Sequence, residues 1–225
     1  MLNFALVGCG KIAKRHSNLL GKNQIAGANL VAVCDINEKS AASIASEFSI
    51  PYFLNMHEMM KSKKINIDVV VVLTASGNHA KDVIALAKYG KDIIVEKPMA
   101  LSLSDADKMI KECEKAKVKL FVVKQNRFNI PIIKLRKAIE SGRFGKLILG
   151  TVRIRWCREQ EYYDQNPWRG TWLMDGGVLT NQASHHIDLL EWMFGEVESV
   201  FAYSSTALAK IQAEDTAVVS LKFKN

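Results

Sequence analysis

In the first half of the chain, apolar residues fall alternately in short unbroken runs and at helical spacing. Met1 to Val7 reads as a strand whose apolar run, Phe4 to Val7, stops at Gly8; Ile12, His16, Leu19 and Leu20 then recur at a helical interval. Leu30 to Cys34 is a second run, closed by Asp35, and Ala41, Ile44, Ala45 and Phe48 mark a helix that Pro51 stops. Ile67 to Leu73 is β-branched and apolar on both faces, the pattern of a central parallel strand covered by helices on each side. Ala80, Val83, Ile84 and Ala87 predict a helix and Ile93 to Val95 a short strand. Ser104 with Asp107 is a start signal for a helix through Ala106, Ile110 and Cys113, and Leu120 to Val123 is one more strand. Strands alternating with helices pair in parallel through right-handed crossovers, so residues 1–123 are predicted to form a doubly wound α/β domain.

Beyond Lys124 the texture changes. One helix (Ile132, Ile133, Leu135, Ala138, Ile139) leads through Gly142 and Gly145 to a predicted strand from Leu147 to Ile154. Val178 to Phe194 reads as a single helix, and Val197 to Ser204 and Thr216 to Phe223 read as antiparallel strands. Residues 124–225 are therefore expected to form a second domain of α+β type.

Composition narrows the class. Apolar residues are 48% of the 225, and only 13 glycines and 4 prolines are present, which excludes collagen-like and disordered chains. No apolar stretch approaches the roughly 20 residues of a membrane span, and Lys11 follows the first apolar run where a signal peptide would place its basic residue before it. Cys9, Cys34, Cys113 and Cys157 form no C-x-x-C pair, so reduced thiols in a cytoplasmic protein are expected. The net charge of +8 is spread along helices (Lys81, Lys88, Lys108, Lys111, Lys115), which favours an anionic small substrate over nucleic acid.

Gly8-Cys9-Gly10-Lys11-Ile12-Ala13 fits G-x-G-x-x-G/A between a strand and a helix, where small residues let the main chain approach a pyrophosphate. Asp35, closing the second strand, can accept hydrogen bonds from a ribose hydroxyl and would repel a 2′-phosphate, so NAD is expected over NADP. The same residue could instead serve the helix that begins near Asn37. Glu96-Lys97-Pro98 lies where a strand leaves the sheet, the edge at which open α/β folds place their ligands. His185 and His186 have no Cys or Glu partner at ligand spacing, so no metal is expected. The segment Tyr162 to Gly170, with Trp168 and Arg169, offers aromatic faces for a sugar and a guanidinium for a carboxylate or phosphate.

The Gly8 to Ala13 turn, Glu96-Lys97-Pro98, Asn126-Arg127-Phe128, and Gly176-Gly177-Val178-Leu179 leading to His185 and Asp188 together resemble the Gfo/Idh/MocA oxidoreductase family. The resemblance spans essentially the whole chain. It implies an N-terminal Rossmann domain, a C-terminal domain on a mostly antiparallel sheet, and NAD(P)-dependent oxidation of a sugar or cyclitol hydroxyl. It further implies that Lys97 and His185 are catalytic, that Glu96 and Pro98 shape the nicotinamide site, and that the loop keeping Thr74 and His79 lines the cofactor. By the same resemblance Trp168 and Arg169 lie near cofactor and substrate. Asn181 stands where many members carry Asp, so no carboxylate at that position shares in proton transfer; the substitution also occurs among nucleotide-sugar uronate 3-dehydrogenases. Members run longer, so this chain is expected to be truncated and to associate as a homo-oligomer through its C-terminal sheet.

The expected function is NAD-dependent oxidation of a secondary hydroxyl on an anionic or nucleotide-linked sugar, with Lys97, Arg169, Asn181 and His185 at the substrate and either Lys97 or His185 as base. Arg153, Arg155 and Arg158 add to the anionic preference. A neutral inositol or hexose is the rival substrate, and a dinucleotide sensor without turnover is the rival class.

Overall fold

The computed structural model describes residues Met1 to Lys224. The chain divides into two compact units, one from Met1 to Val123 and one from Lys124 onward. The first contains β1 (Leu2–Val7), α1 (Ala13–Gly21), β2 (Ala28–Cys34), α2 (Glu38–Phe48), β3 (Tyr52–Phe53), α3 (Met56–Lys61), β4 (Val69–Val72), α4 (His79–Ala87), β5 (Asp92–Val95), α5 (Leu103–Ala116) and β6 (Leu120–Val122).

Its six strands are all parallel, in the order β3-β2-β1-β4-β5-β6. The doubly wound reading is thus correct, and the order reverses between β1 and β4, the place where such sheets open a ligand crevice at their carboxyl ends. β4 shows why its run is apolar throughout. Val70 and Val72 enter a core with Val83, Leu86, Ile93 and Met109, while Val71 enters the opposite core with Leu6, Leu20, Val33 and Ile44. Three features depart from the sequence reading. α5 starts earlier than Ser104: Ser102 is the cap and accepts from the Asp105 N–H at 3.1 Å, because the chain offers the same S-x-x-D spacing twice. β3, only two residues long, carries too few positions for any periodicity to show. The six-residue helix α3 is set by its cap, Asn55, which accepts from the His57 and Glu58 N–H groups.

The second unit contains α6 (Ile130–Glu140), α7 (Gln160–Asp164), α8 (Val178–Asn181), α9 (Ser184–Phe194), β7 (Val197–Ser205) and β8 (Thr216–Phe223). β7 and β8 pair antiparallel, with Ser205 opposite Thr216 and Val197 opposite Phe223. Two expectations fail here. The segment Leu147 to Ile154 is not a strand: β7 and β8 pair only with each other among the described residues, so it has no ladder to join. Val178 to Phe194 is two helices, because the Val178 carbonyl accepts from both Gln182 and Ala183 and the widened turn breaks the regular bonding before α9.

The turn after β1 runs directly against the main chain that leaves β4. Gly8 has φ +100°, and a Cβ there would lie 2.7 Å from the Leu73 carbonyl carbon and oxygen. Gly8→Ala therefore combines a left-handed strain with a clash against main chain, and is expected to lower unfolding free energy by about 2–4 kcal/mol, read by denaturant titration.

Candidate active site

The sequence-identified residues of the first unit collect at the carboxyl edge of its sheet. Asp35 follows β2, and its carboxylate accepts from the Cys9 N–H at 2.6 Å and from the Asn37 N–H at 2.7 Å. Asp35 therefore shapes the glycine turn from 26 residues away. The α2 cap is Asn37, which accepts from the Ser40 N–H. Gly10 is the open position of the turn: a Cβ there would meet no atom within 4 Å, so the main chain is approachable from outside. Lys11 and Ile12 are exposed beside it, ahead of α1. An open glycine next to a helix N-terminus, with a carboxylate at the end of β2, suits a dinucleotide. The buried Cys9 and Cys34 thiols are both pushed up to about 12, by burial first and then by the Asp35 charge, so they remain protonated.

Thr74 leaves β4 and donates its hydroxyl to Asp82 at 2.7 Å. His79 is 1% exposed, and its ring nitrogens face the Pro98 carbonyl at 2.7 Å and the Thr74 carbonyl at 3.0 Å. It thus braces two edge loops through their main chain and has no surface for a direct ligand contact. Glu96, 7% exposed, accepts from His16 at 2.9 Å and from the Lys97 N–H at 3.0 Å. Burial acts to raise its pKa, but those two hydrogen bonds and the His16 and Lys97 charges hold the carboxyl below its ordinary range. Lys97 is half-buried and follows the end of β5.

In the second unit, α8 and α9 present Asn181 and His185. The Asn181 amide donates to Asp175, which is 2% exposed and also accepts from the Gly170 N–H at 2.9 Å. Gln125 Nε2 stands 3.3 Å from His185 Nε2. An amide nitrogen only donates, so that contact uses the imidazole lone pair. One turn further, Asp188 accepts two bonds from Arg127, at 2.7 and 2.8 Å, and pairs with Lys124 at 3.3 Å. Burial again acts upward on Asp188, but Arg127 and Lys124 hold it below its ordinary value of 3.8. Tyr162 lies under two guanidiniums, those of Arg169 at 4.1 Å and Arg158 at 4.6 Å, with Trp168 and Trp156 beside them. Among the described residues, the Nε of each of these arginines is buried without a hydrogen-bond partner. A cavity of about 720 Å³ is bordered by Arg155, Arg158, Tyr163, Gln182 and His186.

Sequence reasoning missed His16, Gln125, Asp175 and Glu214. Glu214 is the least foreseeable: its carboxylate occupies the space a Gly177 side chain would need and accepts from the Leu179 N–H at 3.0 Å. The M-D-G-G run around Asp175 was the one local signal among them.

Comparison with known proteins finds both units in one family. The profile of the family described as "Oxidoreductase family, NAD-binding Rossmann fold" matches residues 2–124, and that of the GFO/IDH/MocA C-terminal domain matches residues 132–225. The chain belongs to the Gfo/Idh/MocA oxidoreductase family. Among Gfo/Idh/MocA proteins, it is 31% identical to myo-inositol 2-dehydrogenase of Thermotoga maritima, over all of this chain and 66% of that enzyme. It is 28% identical to D-apiose dehydrogenase of Paraburkholderia graminis, over 96% of this chain and 56% of that one. The structure of WlbA dehydrogenase from Bordetella pertussis, in complex with NADH and UDP-GlcNAcA, is similar at 43% identity and a TM-score of 0.94, covering 99% of this chain and 67% of that one. The chain thus spans about two thirds or less of the length of the enzymes it matches.

The Asp188 cluster carries a pH signature. A folded-state pKa below the ordinary value stabilises the fold at pH above that value, and the contribution disappears as pH falls through the folded pKa. Asp188→Asn should cost about 1.5–3 kcal/mol at neutral pH, since a doubly hydrogen-bonded charge is lost. The gap between the two proteins should close as pH falls below 3.8, followed by urea unfolding at each pH.

Proposed function

We propose that this chain is the NAD-dependent part of a dehydrogenase that oxidises a secondary hydroxyl of an anionic or nucleotide-linked sugar. The observation that carries the reading is the placement of Lys97 on the same sheet edge as the open Gly10 turn, with the ionised Glu96 beside it. Gly8, Gly10, Lys11, Ile12 and Asp35 hold the dinucleotide, and Thr74, His79 and Glu96 shape the loops around it. NAD, when bound, accepts the hydride from the carbinol carbon. The Glu96 charge favours the ammonium form of Lys97, so Lys97 donates a hydrogen bond to the substrate oxygen and stabilises the developing alkoxide. His185, once the substrate hydroxyl displaces the Gln125 amide from its Nε2 lone pair, takes the hydroxyl proton. Asn181, fixed by Asp175, orients the substrate.

The unpartnered Nε atoms of Arg158 and Arg169 around Tyr162 support an anionic sugar, and so does the ligand of the WlbA relative. The Thermotoga relative keeps myo-inositol as the competing substrate. Among the described residues no helix is long and apolar enough to cross a membrane. Free Cys9, Cys34 and Cys113, all buried, fit a reducing cytoplasm, although Cys157 is exposed in an irregular loop. The exposed Val200, Phe201, Tyr203 and Val218 of the β7–β8 sheet support a homo-oligomer built through that sheet.

Turnover of UDP-N-acetylglucosaminuronate, set against myo-inositol and followed by NADH absorbance, tests the reading. Lys97→Met and His185→Ala should each reduce turnover by about 10²–10⁴ while NAD affinity changes little. Near-normal turnover in both variants would place the chemistry elsewhere. Calorimetric titration should show tighter binding of NAD than of NADP, and Asp35→Ser should narrow that difference.

A further inference from the structure

Resting on the reading of Lys97 given above, we propose that His16 is a positioning residue, which acts through Glu96 to fix the main chain at Lys97. β5 makes its last ladder bond when the Glu96 N–H donates to the Val72 carbonyl at 3.0 Å. The next N–H, that of Lys97, lies beyond the sheet and is taken by Oε2 of Glu96 at 3.0 Å. The carboxylate can do this only if it is itself held, because at 7% exposure water does not hold it. Its other oxygen is held by His16 Nε2 at 2.9 Å, from 80 residues earlier in the chain. A carboxylate oxygen only accepts, so His16 is the donor.

The far side of Lys97 is held as well, since the Pro98 carbonyl is bonded to the buried His79 at 2.7 Å. Rotation of the Lys97 main chain is therefore resisted from both neighbours. Without His16, Glu96 Oε1 loses its partner and the carboxylate is free to turn away from the Lys97 N–H, while the His79 contact and the β5 ladder persist. His16 belongs to α1, whose Ala13, Ser17 and Leu20 pack into the sheet and whose N-terminus follows the glycine turn. The same bond thus ties the dinucleotide turn to the lysine. A misplacement of about 1 Å at a reacting group can cost on the order of 10² in rate, so a bond that touches neither substrate nor cofactor can govern turnover.

A merely structural ion pair would alter stability alone, and two measurements on the full chain separate the cases. His16→Asn falls one methylene short of Glu96 Oε1, whereas His16→Gln reaches it with an amide nitrogen. Hydrogen exchange resolved by residue should show the Lys97 amide exchanging about ten-fold faster or more in His16→Asn, with the Val71 amide of β4 unchanged and His16→Gln close to wild type. With UDP-N-acetylglucosaminuronate and NAD, His16→Asn should lose about ten-fold in kcat with KM for NAD within about two-fold, and His16→Gln should restore it. In a Lys97→Met background, His16→Asn should add less than about two-fold further loss. Unchanged protection at the Lys97 amide, or a full additional loss in the Lys97→Met background, overturns the proposal. Should Lys97→Met itself turn over normally, the reading of Lys97 falls and the positioning role with it; an inactive Lys97→Met beside a fully active His16→Asn removes the role of His16 alone.

Discussion

A parallel sheet ends with main-chain N–H groups that no further strand can take, and at the edge where ligands bind those groups need partners that keep their place. Carboxylates from distant residues supply them. Asp35 accepts from Cys9 and thereby sets the glycine turn, and Glu96 accepts from Lys97 where β5 runs out. The second unit repeats the device: Asp175 serves Gly170, Glu214 serves Leu179, and Asp215 serves Ala207, Leu208 and Ala209 in the β7–β8 connection. A charge-assisted bond is roughly twice as strong as a neutral one, which makes a carboxylate a firmer holder of a loop than a carbonyl would be. The loops that carry the candidate chemistry are held in this way, so their geometry follows from acids that do no chemistry themselves.

This division explains what the sequence disclosed and what it hid. The runs Phe4 to Val7 and Ile67 to Leu73, and the helical spacing from Ala80 to Ala87, follow from local periodicity, and each became the element expected. The placing of Gly8 and Gly10 in a turn after β1, and of Lys97 where β5 leaves the sheet, was legible because it rests on residue type within a few positions. His16 with Glu96 and Glu214 with Gly177 were not, since each pairing joins residues far apart and no periodicity links them. Leu147 to Ile154 was misread for a related reason. A strand is a relation between two segments, and apolar residues in one segment do not supply the other. Between α8 and α9 the apolar pattern continued through a turn where only the main-chain bonding changed, which a pattern of side chains does not record.

Four shifted groups near the candidate residues are held in one protonation state. Glu96 and Asp188 are held as carboxylates by their donors, and Cys9 and Cys34 are held as thiols by burial and the Asp35 charge. None of these four can exchange a proton near neutral pH. Asn181 has no proton to trade, and its amide already donates to Asp175; an Asp in its place would bring two carboxylates into contact, one of which would have to be protonated. In each unit, then, these neighbours are pinned electrostatically. An alcohol oxidation at neutral pH needs one group that can take a proton and one that can hold an alkoxide, among neighbours that compete for neither role. His185 and Lys97 are the groups to which the proposed reaction gives those roles.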